Sequence, residues 1–325
     1  MADDGVVGVD LGGTKIAAAF VAADGQRLRA SVRHPHGNGG PEAVVAEMVE
    51  ILRQVSRESG QAIRRVGLGV AAQVDVRTGM VHHAPNLRWR DVPLGAMLSR
   101  SMDVPVSVVN DARAATIAEW QFGAGRGVDD LLVVSLGTGV GGSVVLGGSL
   151  PEGADGAIGE IGHTILVAGG RKCTCPGRGC LEAYASGWAI AERAREAVAS
   201  DPAGGRRLVE LSGGPDKVSA GPVGVLARLG DPLSSELFRQ TLSYLGTGLA
   251  GVVNGFNPRR VIVVGGLATG WPEVVGAIQE TIRSHCQTPA SGATVHAGRL
   301  GEDAVLVGAA NWARDRAADR AGARY

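Results

Sequence analysis

Apolar positions along this chain fall into short dense runs and into helical stripes, and the two kinds alternate. Val6 to Val21, "VVGVDLGGTKIAAAFV", predicts a strand, a tight glycine turn and a second strand. Ala43 to Glu58 carries Val44, Met48, Ile51 and Leu52 at helical spacing, so one face of a helix is apolar. "VGLGV" and "PVSVV" are short β-rich runs. "ARAATIAEWQFGAG" predicts a helix that closes on glycine. "DLLVVSLGTGVGGSVVLGG" repeats the strand, glycine turn and strand pattern. A largely helical stretch follows, with "GWAIAERAREAVAS", "GPVGVLARLGD" and "SSELFRQTLSYLGTGLAGVVNGFNP". "RRVIVVGG" then predicts a buried strand ending in two glycines, and "DAVLVGAANWARDRAADRAG" a last strand or turn leading into a terminal helix. Asp201 to Lys217 is charged and glycine-bearing, and predicts a surface excursion.

The pattern is α/β. Its two glycine hairpins, "VDLGGTKI" and "VSLGTGVGG", each open a separate αβ segment, which predicts two related lobes with a cleft between them. The length of 325 residues with 45% apolar content supplies enough core for two lobes. The 51 glycines gather near predicted strand ends, where backbone would approach a ligand. Basic and acidic residues balance at 32 each, which argues against a nucleic-acid surface. The start, "MADDGVVGVD", has neither the basic opening nor the apolar stretch of a secretory signal, and no apolar run is long enough for a bilayer. The expected setting is cytoplasmic, without membrane or nucleic-acid partners.

Candidate chemistry clusters in four places. Asp10, Gly12, Gly13 and Thr14 follow an apolar strand directly. Bare N–H groups and a hydroxyl there can donate to phosphate oxygens, and Asp10 can hold Mg²⁺ through water. An ordinary hairpin with a polar tip accounts for the same residues. Gly137, Thr138, Gly139, Gly141 and Gly142 make a second such turn, and Gly265 with Gly266 end a third buried strand. Neither hairpin is a Walker loop, nor a dinucleotide fingerprint opening a helix. Asn110 and Asp111 stand where a strand meets a helix. An N-cap explains them; so does a carboxylate that accepts the proton of a substrate hydroxyl, with Asn110 holding a neighbouring hydroxyl.

The fourth cluster holds three of the four cysteines in one loop, Cys173, Cys175 and Cys180, with His163 upstream. Three thiols and an imidazole make a closed structural zinc set, and buried free thiols are the simpler account. A zinc with four protein ligands shapes a pocket and does not activate water. It would aim Glu160, Glu182 and the free edge of His163 at a polyhydroxylated ligand such as a sugar.

Taken together, "DLGGTK" from Asp10, "APNLRW" from Ala84, "NDARAA" from Asn110, "LGTGVGG", "GEIGH" from Gly159, "CTCPGRGCLE" and "NPRRVIVVGG" resemble the ROK family of repressors and sugar kinases, over Val7 to about Trp312, most of all its bacterial glucokinases. That resemblance implies an actin-like ATPase (ribonuclease H-like) fold. Its small lobe would be residues 1–112 with about 306–325, and its large lobe 113–305. It implies phosphoryl transfer from ATP, with Mg²⁺, to the 6-hydroxyl of a hexose. Asp111 would be the base, and Asn86, Asn110, Asp111, Glu160, His163 and Glu182 the sugar contacts. Asp10, Gly12, Gly13, Thr14, Lys15, Gly137, Thr138 and Gly139 would face phosphates, with Gly265 and Gly266 near adenosine. His163, Cys173, Cys175 and Cys180 would hold Zn²⁺, and the chain would be a homodimer or homotetramer.

The sequence departs from the family pattern twice: Pro176 follows the second cysteine, and Ala71-Ala72-Gln73 stands where the glucokinases carry a glycine near the sugar. The second change leaves glucose and an amino- or otherwise modified hexose both open. Regulators of the family carry an added winged helix, for which few residues precede the first strand here.

Overall fold

The computed structural model describes residues 5–13, 15–33, 39–154 and 158–320. The chain forms two compact units: Met1–Gly127 with Leu150–Ile158 and Arg299–Tyr325, and Val128–Ser149 with Gly159–Gly298. In the first, β1 (Val6–Leu11), β2 (Ile16–Val21) and β3 (Arg27–Arg33) precede helix α1 (Pro41–Ser59). Then come β4 (Arg65–Val70), the small antiparallel set β5 (Gln73–Asp75), β6 (Met80–Ala84) and β7 (Trp89–Val92), helix α2 (Leu94–Met102), β8 (Val106–Asn110) and helix α3 (Asp111–Gln121). The main sheet runs β3-β2-β1-β4-β8, with β4 parallel to both β1 and β8.

The second unit starts with β9 (Leu131–Leu136) and β10 (Val140–Val145) and continues through α4 (Glu182–Ala185), α5 (Gly187–Ser200), α6 (Arg206–Ser212), α7 (Ala220–Arg228) and α8 (Pro232–Phe256). β11 (Arg260–Val264), α9 (Gly266–Gly270), α10 (Glu273–His285) and β12 (Thr294–Ala297) complete it. Its sheet runs β10-β9-β11-β12. The chain then returns to the first unit as α11 (Ala304–Arg320). Among the described residues no helix is long and apolar enough to cross a membrane.

Strands β1 and β4 are buried along nearly their whole length, as expected of parallel strands covered on both faces. Their glycines lie inside the strands. A Cβ on Gly8 would sit 2.0 Å from the Leu306 carbonyl oxygen, and one on Gly67 would sit 1.8 Å from that of Ala309. Gly308 of α11 meets the Ala114 oxygen of α3 at 1.7 Å in the same sense. So α11 lies on the sheet, and α3 on α11, at backbone-to-backbone distance. These glycines serve close packing of protein on protein, where the sequence suggested approach to a ligand.

Two further expectations change. "DAVLV" is helical from Ala304 onward rather than a strand, because Leu306, Val307, Ala309, Ala310, Trp312 and Ala313 are buried and no polar stripe marks a helix. The Asp201–Lys217 stretch is largely exposed, as expected of a surface excursion, and contains α6, held by the buried Leu208. The expected lobe boundary at residue 112 falls inside structure: all of α3 belongs to the first unit, packed on α11.

Gly67→Ala is expected to destabilise the fold by at least about 1–3 kcal/mol, the usual cost of overpacking. Gly251→Ala, on an open position of α8, should be neutral or stabilise by up to about 1 kcal/mol. Urea unfolding of the two variants checks this; equal midpoints would refute the packing account.

Candidate functional site

In the first unit the register brings the candidate residues to one edge of the sheet. Asp10 of β1 lies opposite Gly69 of β4, and Val70 lies opposite Asn110 of β8. Three parallel strands therefore end together, at the edge where α/β sheets place ligands. After β1, the Gly12 N–H donates to the Lys15 carbonyl at 3.0 Å and closes the turn. Thr14 lies outside the described residues. The Lys15 ammonium stands 3.8 Å from the Glu302 carboxylate, both exposed. A Cβ on Gly13 would lie 3.2 Å from the Asn86 Cβ, so Asn86, in the tight turn between β6 and β7, borders the glycine turn.

Asn110 caps α3. Its Oδ1 accepts from the Arg113 N–H at 3.1 Å, and its Nδ2 donates to the Ala72 carbonyl at 3.1 Å. These partners fix the amide orientation; its second N–H faces the Asp111 carboxyl, which leaves one lone pair for a ligand. The departing Ala71-Ala72-Gln73 segment is thus the backbone that holds Asn110. Asp111 is the first residue of α3, and the Ala112 N–H donates to its Oδ1 at 2.8 Å. Burial pushes the Asp111 carboxyl above its ordinary value, against the opposing pull of the Ala112 and Asp111 N–H groups and the Asn110 side chain. Burial also raises Asp10 to about 6, with the Asp111 charge adding to it and Lys15 opposing. The pair is therefore reluctant to carry two negative charges, as close carboxylates are.

In the second unit, Gly137 to Gly139 join β9 to β10, and the Gly137 N–H donates to the Gly139 carbonyl at 3.1 Å. The start of α5 is sewn to this turn: Gly187 N–H to Gly137 O at 2.9 Å and Trp188 N–H to Thr138 O at 3.3 Å. Gly141 and Gly142 are not part of the turn. They lie in β10, where a Cβ on Gly142 would strike the Ile161 side chain at 2.4 Å. Gly159 and Gly162 press on the same strand; Cβ atoms there would lie 2.5 Å from Gly142 O and 2.0 Å from Val140 O. The "GEIGH" glycines thus lay this segment flat on β10. Gly265, at a left-handed φ of 97°, meets the end of β9, 2.4 Å from Leu136 O by its missing Cβ; Gly266 opens α9 into free space.

His163, Cys173, Cys175 and Cys180 converge, with one donor atom each inside a set spanning at most 4.8 Å. The Cys175 and Cys180 sulfurs are 3.6 Å apart, and Cys173 Sγ is 3.6 Å from His163 Nδ1. A tetrahedral ion with Zn–S near 2.3 Å needs sulfurs about 3.8 Å apart, so the donors fit. His163 Nε2 faces the Glu160 carboxylate at 3.9 Å, which leaves Nδ1 toward the thiols.

Glu182 is buried and already engaged. Its Oε2 accepts from the Val140 N–H at 2.9 Å, and its Oε1 from Thr174 Oγ1 at 3.0 Å and Trp188 Nε1 at 3.4 Å. This one carboxylate joins the cysteine loop to the glycine turn. Thr174 and Trp188 escaped the sequence reading; the only signal for Thr174 is its place between two ligand-type cysteines.

The sequence profile of the ROK family matches residues 6–316. The chain is 36% identical to a Streptomyces coelicolor glucokinase over 315 residues, covering 95% of this chain and 97% of that one. It is 34% identical to a Thermotoga maritima glucokinase, covering 96% and 98%. The crystal structure of a ROK family glucokinase from Streptomyces griseus in complex with glucose and AMPPNP superposes with a TM-score of 0.84 at 35% identity, covering 95% of this chain and 99% of that one.

Because the Asp10 carboxyl titrates near 6 in the fold and near 3.8 when unfolded, the unfolded chain ionises first as pH rises. Ligand-free stability should therefore fall between about pH 4 and pH 6 and stay lower above that. Asp10→Asn should raise stability at pH 7 by about 1–3 kcal/mol and leave it unchanged near pH 4. Urea unfolding at the two pH values reads the difference; a variant destabilised at pH 7 would contradict it.

Proposed function

The chain belongs to the ROK family and has its actin-like ATPase fold, and from that premise we propose that this sugar kinase phosphorylates D-glucose at its 6-hydroxyl with ATP. The observation that carries the reading is the Asp111 carboxylate, held at the start of α3 on the strand edge that also bears Asp10 and the Gly12–Gly13 turn. In the reaction the sugar oxygen bonds to the γ-phosphorus, the bond to the β,γ-bridging oxygen breaks, and ADP leaves. The hydroxyl proton goes to Asp111. Burial keeps that carboxylate basic enough to accept it. The remaining lone pair of Asn110 Oδ1 orients a neighbouring hydroxyl, and Asn86, Glu160, His163 Nε2 and Glu182 supply further sugar contacts.

The Gly12–Gly13 and Gly137–Gly139 turns offer backbone N–H groups to phosphates, with Gly265 and Gly266 beside the adenosine. Mg²⁺ accompanies ATP and neutralises phosphate charge; Asp10, costly to ionise alone, gains from that cation. Zn²⁺ in the His163, Cys173, Cys175 and Cys180 set is structural, since all four positions are filled by protein.

ADP release from Mg-ATP with D-glucose, against a panel of hexoses and aminohexoses and a no-sugar control, tests the reading. Strong glucose-dependent turnover supports it; turnover confined to an aminohexose moves the substrate and assigns the Ala72–Asn110 contact to specificity. Asp111→Asn should cut kcat by about 10²- to 10⁴-fold with sugar affinity within a few fold. Near-full activity in that variant would end the assignment of Asp111 as base. Metal analysis should find one zinc per chain, lost in Cys175→Ser together with thermal stability; a zinc-free, fully stable wild type would refute the structural ion.

A further inference from the structure

Helix α3 carries two charged side chains that the reaction does not use. Glu119 has no exposed surface, and Arg113 is 4% exposed. Such groups are costly in an interior unless fully bonded, and what they bond to is specific. Glu119 Oε1 accepts from the Arg299 and Leu300 N–H groups at 2.8 and 2.9 Å, and its Oε2 accepts from the Ala124 N–H at 2.8 Å. Arg113 donates to the Pro151 and Leu150 carbonyls at 2.6 and 3.0 Å.

These partners share one property. The chain leaves the first unit after Gly127, re-enters it at Leu150, leaves again after Ile158 and returns at Arg299. Ala124 lies three residues before the first exit, Leu150 is the first residue of one return and Arg299 the first of the other. Three of the four passages are thus tied by charge-assisted bonds to one helix. Gly123 makes room for this: a Cβ there would sit 2.1 Å from Glu119 Oε2. Arg316 of α11 adds a 2.6 Å bond to Glu152, and it and Arg113 both lie over the Trp312 ring, at 4.3 and 5.5 Å. The opposite end of α3 begins at Asn110 and Asp111.

We propose that Glu119 and Arg113 are positioning residues for phosphoryl transfer, fixing the passages between the units in the frame of the helix that presents Asp111. This rests on the reading of Asp111 as base. A carboxylate that held only an internal loop would affect folding alone. One that holds an exit and a return together fixes both against the helix that carries Asp111, and phosphoryl transfer depends steeply on how its base is held.

Glu119→Gln tests this with little change of shape. The amide oxygen can serve the Arg299 and Leu300 donors, but its NH₂ then faces the Ala124 N–H, so the side-chain tie to the exit is lost and the tie to the return is kept, while the Gly123 and Gly125 N–H groups still donate to the Glu119 carbonyl. Hydrogen exchange should speed at Ala124 and change little at Arg299 and Leu300. With the protein fully folded at the assay temperature, kcat should fall about 10- to 100-fold while KM for sugar and for ATP stays within about threefold. Arg113→Lys, whose single ammonium cannot span both carbonyls, should show the same split. Thr116→Val is the control: Thr116 is equally buried but bonds only within α3, to Ala112 O at 2.8 Å, and kcat should be unchanged. An active wild type with kcat unchanged in Glu119→Gln, or reduced only by the unfolded fraction, overturns the proposal and leaves the sugar kinase reading standing. A wild type without turnover on any hexose overturns both.

Discussion

The first unit depends on backbone meeting backbone without an intervening Cβ. Gly8 and Gly67 let α11 settle on β1 and β4, and Gly308 lets α3 settle on α11. Each contact is closer than any side chain allows, and the three lie in series from sheet to helix to helix. The start of α3 is therefore placed by two rigid supports, its own strand β8 and the helix stacked beside it. Asn110 and Asp111 take their positions from that stack, and the Ala112 N–H and the Asn110 side chain hold the carboxylate at its place on α3. Positioning by rigid elements is more exact than positioning by loops.

The second unit solves a related problem with a charge. Glycines lay "GEIGH" against β10 in the same side-chain-free manner. The cysteine loop packs on Tyr184, Trp188 and Tyr244, and Glu182 adds polar bonds from it to the start of β10. A buried carboxylate that accepts from a backbone N–H, a hydroxyl and an indole is well satisfied, and removing any donor leaves part of it exposed to a costly vacancy. Loss of order in the cysteine loop would thus be felt at the Gly137–Gly139 turn, through Thr174 and Glu182.

Legibility in the sequence followed how local each feature is. Asp10 with its glycines, Asn110 with Asp111, and the three cysteines are contiguous or nearly so, and each was readable as a candidate site from residue types alone. The β-strand, glycine, β-strand units were readable for the same reason. What depended on distant partners was not. The last helix hides its period because it is buried all round, so "DAVLV" resembles a strand. Strand glycines resemble ligand turns until the helix that lies on them is in view. Arg113 and Glu119 look like an ordinary charged face, because nothing near them in sequence says that their partners are at residues 150 and 299. Glu182 resembled a free carboxylate for the same reason.

Asp10 and Asp111 show why a stack so rigid is needed. Burial holds both carboxyls above their ordinary values, and the Asp111 charge adds to it at Asp10, so the pair favours any movement that lets in water. Only surroundings that cannot relax keep them close. The glycine contacts supply that stiffness from the sheet side, and the Asn110 cap and α3 supply it from the other. Such strain suits the proposed chemistry, in which a carboxylate kept from solvation is a better proton acceptor and a second one nearby welcomes a cation. The cost of ionising buried carboxyls in the ligand-free state is, on that proposal, the physical counterpart of a site prepared for charge that arrives with its substrate.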